Sequence, residues 1–169
     1  MTTQTNKKEI ESLIQKEFPY PDNWYNNFSH KGSIERIIHY VAQNSQYSSI
    51  KKSRNNFMGK ILSTTFKTLW TAGLLAGSAY LIRDYGNLSN DGQLGAILAT
   101  AFTAYQAKLN LLGKHVFTGG GTYYKAPYFS IFDELRIANA WKKVSKYQKQ
   151  GKLPAGDRND IGTEDCYLE

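Results

Sequence analysis

The sequence predicts an all-α fold, a two-helix transmembrane hairpin with amphipathic extramembrane helices at both ends. Three observations carry that expectation. Two central stretches, Thr68–Ile82 and Leu94–Ala107, hold no charged residue. Lys and Arg collect outside them, and both stretches repeat small residues every four positions. The expected units are an N-terminal polar arm (1–56) with two short amphipathic helices, the hairpin (57–117, spans near 61–82 and 94–113), and a C-terminal arm (118–169) with a basic amphipathic helix and an acidic tail.

In the first arm, Ile10, Leu13, Ile14 and Phe18 recur at helical spacing between Thr5 and Phe18. Pro19 and Pro21 stop that helix, and Asp22 to Gly32 reads as a loop. A second helix is expected from Ser33 to Asn44, with Ser33 as its cap and Ile34, Ile37, Ile38 and Val41 on one face. Ser45 to Asn56 is polar and basic and reads as a linker.

Each charge-free stretch is about 15 residues, or ~22 Å of helix, whereas a bilayer core of about 30 Å asks for roughly 20. Lys67 and Lys108 lie at similar distances from a turn near Asn87, so both are expected at one membrane face, their stems snorkelling to the headgroups. Lys51, Lys52, Arg54 and Lys60 precede the hairpin and Lys108, Lys114 and Lys125 follow it, whereas the turn sets Arg83 against Asp84 and Asp91. By the positive-inside rule the turn lies outside and both arms lie in the cytoplasm or matrix. Gly73 and Gly77 form a GxxxG, and Gly95, Ala99, Thr103 and Ala107 repeat every four residues opposite them. These six are the expected helix-packing positions, because small residues let membrane helices approach closely. A soluble pair of alanine-rich helices is the alternative. The mean hydropathy of -0.51 reflects the polar arms.

In the last arm, Ser130-Ile-Phe-Asp133 has the form of a capping box with Asp in place of Glu or Gln. The helix it opens is expected to run through Tyr147. Asp133 and Glu134 in its first turn, and Lys142, Lys143 and Lys146 near its end, suit the helix dipole. Gly151 and Pro154 end it, and Asp157 to Glu169 is acidic.

Chemistry is sparse. The chain of 169 residues has 21 Lys and Arg against 14 Asp and Glu, a balance that suits nucleic acid or an anionic membrane surface. Beside a membrane hairpin, anionic lipid headgroups are the expected partner of Lys67, Lys108, Lys142, Lys143 and Lys146, and nucleic acid is not. Gly119–Gly121 lacks the lysine of a phosphate-binding loop, and His39 and His115 lack a second ligand at characteristic spacing. Cys166 is the single cysteine and cannot form an intramolecular disulfide. No nucleophile, base and orienting group assemble. The expectation is therefore a protein with no catalytic residue, metal site or cofactor.

That pattern, with an N-terminus carrying no signal or transit character, leads to a non-catalytic accessory or scaffold subunit of a large membrane complex. A mitochondrial respiratory-chain or ATP-synthase complex is expected, in the inner membrane with both termini on the matrix side and other membrane subunits as partners. The alternative is a self-associating protein of a bacterial inner membrane, such as a holin, pore or immunity protein.

Overall fold

In a computed structural model of the chain, which describes residues 7–20, 30–113 and 128–156, the expected linker is instead the start of the longest helix. The described elements are all helical: α1 (Lys7–Glu17), α2 (His30–Asn44), α3 (Ile50–Arg83), α4 (Asn90–Leu112) and α5 (Ile131–Lys149). A 3-10 turn, Ser45–Tyr47, followed by Ser48 and Ser49, separates α2 from α3. The Ser49 side chain accepts from the Lys52 N–H and caps α3. Polarity alone misreads this stretch as a linker. It contains no Gly or Pro, and Ser53 and Phe57 turn inward while Lys51 and Arg54 turn out. α2 likewise begins one turn before Ser33. The Gly119–Gly121 run, His115, Cys166 and the acidic segment lie outside the described residues.

Helices α1, α2 and α5 pack with the first half of α3 into a bundle. Its core holds Ile14, Phe18, Ile34, Ile37, Val41, Ile137, Trp141, Val144 and Leu153. Burying each large apolar side chain stabilises the bundle by about 1.5–3 kcal/mol relative to exposure. Trp141, which the sequence sets among lysines, is 1% exposed and belongs to this core. His39 is also internal, its Nδ1 2.6 Å from the Phe18 carbonyl oxygen. Helix α5 begins at the expected cap: the Ser130 hydroxyl accepts from the Asp133 N–H, and the Asp133 carboxylate accepts from the Ser130 N–H.

α5 runs antiparallel to α3. At one end of their contact the Ser53 hydroxyl donates to Gln148 Oε1 (3.0 Å), and at the other Thr64 Oγ1 donates to Glu134 (3.2 Å). Gln148 fastens the far end of the bundle, its amide nitrogen donating to the carbonyls of Ser45 and Ser48. Beyond Glu134 α3 leaves the bundle and continues with α4 alone. With 34 residues, at 1.5 Å per residue, α3 is a strut of about 51 Å joining the bundle to the tip of the α3–α4 pair.

Candidate functional site: an inverted hairpin and its anchor

The contact between α3 and α4 is polar and small. The buried positions are Thr71 and Ser78 on α3, with Thr64 one heptad earlier where α3 faces α5, and Ala96, Thr103 and Asn110 on α4. Each set repeats every seven residues, the period that keeps one stripe facing a partner along two supercoiled helices. The Ser78 hydroxyl donates to Thr103 Oγ1 (2.7 Å), and Asn110 Nδ2 donates to Thr71 Oγ1 (2.8 Å). The Tyr128 hydroxyl donates to Asn110 Oδ1. Two cross-helix bonds seven residues apart fix an antiparallel register. A one-residue slip would break both.

The outer surface is apolar. Leu62, Phe66 and Leu69 are 72%, 66% and 68% exposed, and Leu75, Ile82, Leu94, Ile97, Leu98 and Phe102 also face outward. Phe66 stacks on Trp70 with 10° between the ring planes. Thr65, Thr68 and Thr100, also on these helices, donate their hydroxyls to carbonyls one turn earlier, so their polar atoms are satisfied within their own helix. Soluble proteins rarely expose contiguous apolar patches above a few hundred Å². Here the polarity is inverted, with polar groups inside and large apolar side chains outside. Even so, among the described residues no helix is long and apolar enough to cross a membrane.

The hairpin is anchored to the bundle by a buried ion pair. Lys67 Nζ lies 2.8 Å from Glu134 Oε1, with the side chains 15% and 5% exposed. Lys67 also donates to the Phe129 carbonyl (2.8 Å), and its ammonium sits 4.4 Å from the centre of the Tyr128 ring. Glu134 accepts further bonds from Ser63 and Thr64. This corrects the expectation that Lys67 snorkels outward. A buried carboxylate within reach holds the ammonium, and leaving either charge unpaired there would cost several kcal/mol.

The expected packing positions divide. Thr103 lies in the seam, and Ala99 and Ala107 are half-buried. Gly73, Gly77 and Gly95 face outward, and a Cβ added at any of them would meet nothing within 4 Å. These glycines therefore do not bring α3 and α4 together, because the heptad stripe and not the GxxxG faces the partner. Lys108, Lys142, Lys143 and Lys146 are exposed, but they form no cluster with Lys67. Lys146 and Arg54 line one groove, and Arg54 lies about 20 Å from Lys67 along α3. Lys143 instead reaches Glu17 (3.5 Å) and the Phe18 ring. A hydrogen bond from Tyr147 holds the Glu17 carboxyl below the ordinary carboxylate range, helped by the Lys143 charge. Burial and the same carboxylate push the Tyr147 hydroxyl up.

The sequence reading missed Asn110, Thr71 and Gln148, and took Glu134 only as a charge that suits the helix dipole. For the seam a signal existed, the seven-residue spacing of hydroxyl and amide side chains. For Glu134 there was none, since acids in the first turn of a helix ordinarily face water. Among the described residues no group of three or more His, Cys, Asp or Glu is arranged to hold a metal ion. Comparison with known protein families, curated proteins and solved structures finds no match.

Proposed function

We propose that the protein is a non-catalytic scaffold subunit of a membrane complex, anchored by insertion of the α3–α4 hairpin into the apolar part of a bilayer. The inverted polarity of the hairpin carries this reading. Hydropathy averaged along a helix counts Thr71, Ser78, Thr103 and Asn110 against insertion, yet each is bonded inside the seam and would not meet lipid. The surface that would meet lipid is mainly Leu, Ile, Phe and Ala, together with the aromatic Trp70, Tyr80 and Tyr105, and its threonine hydroxyls are satisfied internally, as an apolar solvent requires. Insertion as a preformed pair follows, since separated helices would expose the seam. From Lys67 to Arg83 the helix rises about 24 Å, less than a typical core of about 30 Å, and a locally thinned bilayer or snorkelling side chains would accommodate the difference. The bundle carries the basic excess, whereas at the tip Arg83 pairs with Asp84. That balance favours the bundle on the cytoplasmic or matrix side.

The scaffold role draws on the outward Gly73, Gly77 and Gly95. Open in this chain, they offer close approach to a helix of another subunit. Respiratory-chain or ATP-synthase assemblies of the mitochondrial inner membrane suit such a subunit. The non-catalytic part rests on the sequence, in which no catalytic constellation assembles. The same open face favours a second reading, self-association into a ring or pore in a bacterial inner membrane, and stoichiometry separates the two. Membranes containing the protein are washed in alkaline carbonate and then solubilised for native gels with mass spectrometry. Retention in the pellet and migration at one copy among unlike subunits are expected. Release into the supernatant overturns insertion, and a discrete homo-oligomer overturns the accessory role.

A further inference from the structure

Four cations converge on a groove between α3 and α5 for which the described residues supply no counter-charge. Arg54 stands on one wall, Lys142, Lys146 and Lys149 on the other, and Phe57 lies between them in a groove of about 480 Å³. Three other cations on the bundle do have a carboxylate within reach: Lys67 with Glu134, Arg136 with Glu35 and Lys143 with Glu17. None of the four groove cations has an ion-pair partner among the described residues.

We propose that this groove is the docking site of the chain's own acidic segment, residues 157–169, which covers it in cis. Three observations select that occupant. The segment carries five carboxylates, Asp157, Asp160, Glu164, Asp165 and Glu169, against one guanidinium, Arg158, so its charge complements the four cations. Ile161, Tyr167 and Leu168 are interspersed, giving apolar side chains for the Phe57 floor and the lysine stems. The chain also arrives at the right place. Leu153 is buried in the core, the Gly156 N–H donates to the Ser48 carbonyl (3.2 Å), and Gln150 itself lines the groove. Lys142 to Lys149 spans about 10 Å along α5, and thirteen extended residues reach up to about 45 Å. Exposed ion pairs are individually weak, so docking depends on several acting together and weakens as salt screens them. The inference concerns the bundle alone and does not rest on insertion of the hairpin.

Cys166 supplies the test. In the full chain carrying Ser145→Cys at the groove, a short bismaleimide is expected to link positions 145 and 166 within one molecule, with a yield independent of protein concentration. Gln15→Cys, exposed on α1, is the control and should link at least about tenfold less, because only docking raises the local concentration of the segment. The surface reversal Lys142→Glu/Lys146→Glu/Lys149→Glu should lower the yield to that of the control. Adding Asp160→Lys/Glu164→Lys/Asp165→Lys should restore it, with circular dichroism reporting intact helices throughout. Equal yields from positions 15 and 145, or a yield unchanged by the reversal, overturn docking. A yield that rises with concentration overturns docking in cis in favour of a second copy.

Discussion

The Lys67–Glu134 pair is the contact whose removal most directly tests how the hairpin is held. Glu134→Gln keeps the shape of the side chain, but it leaves the Lys67 ammonium, only 15% exposed, without a counter-charge. Breaking a buried pair from one side costs about 3–5 kcal/mol. Partial exposure of Lys67 and its remaining bond to the Phe129 carbonyl argue for the lower end, about 3 kcal/mol. Lys67→Met should cost a similar amount, since it strands a carboxylate that is 5% exposed. The double variant Lys67→Met/Glu134→Leu removes both charges, and Ser63 and Thr64 can turn their hydroxyls to carbonyls one turn back. It should lie within about 1 kcal/mol of the parent, well short of the two single variants added together. Urea unfolding followed by far-UV circular dichroism measures all four proteins, and hydrogen exchange on α5 shows where protection is lost. A single variant costing under about 1 kcal/mol, the range of an exposed pair, would refute the buried-anchor reasoning. So would a double variant that loses as much as the two singles together.

Three further outcomes follow from particular residues. Gly113 ends α4 at φ 71° and ψ 178°, and a Cβ there would approach the Tyr128 carbonyl to 2.8 Å, so Gly113→Ala should cost about 2 kcal/mol or more in thermal unfolding, and an unchanged melting temperature would contradict that geometry. Gly73→Leu/Gly77→Leu should leave the isolated chain at least as stable as the parent, since each open helical glycine gains up to about 1 kcal/mol of helix propensity, while reducing its recovery with partner subunits; lost stability in the isolated chain would show that these glycines pack internally. Because the Glu17 carboxyl is held below its ordinary range, its contribution is present above the unfolded-state value and is lost as pH falls through the folded one. Acidification through the carboxylate range should therefore weaken this one contact between α1 and α5, seen as faster exchange of the amides at the end of α1, and Tyr147→Phe should shrink that pH dependence.

Much of the architecture was legible in the sequence because it depends on local patterns. The 3.6-residue spacing of Ile10, Ile14, Ile34, Ile37 and Val41 marks α1 and α2 and their inner faces. Ser130 and Asp133 announce α5 through a cap that needs only four residues, and the charge-free stretches mark two central helices. What the sequence left open was which way side chains face once helices pair. GxxxG spacing draws the eye to Gly73 and Gly77, yet hydrogen bonds pair Ser78 with Thr103 and Thr71 with Asn110, which rotates the glycines outward. The same positions read along the chain as weakly polar residues in an apolar run, and across the chain as a bonded seam. Lys67 was ambiguous for a similar reason. A lysine at the edge of an apolar helix snorkels when nothing is near, and pairs when a buried carboxylate arrives from a helix nearly seventy residues away. Helix existence is decided within a few turns of chain. The direction of a helix face and the fate of a charge are decided by the neighbour that desolvates them, and only the tertiary structure supplies that neighbour.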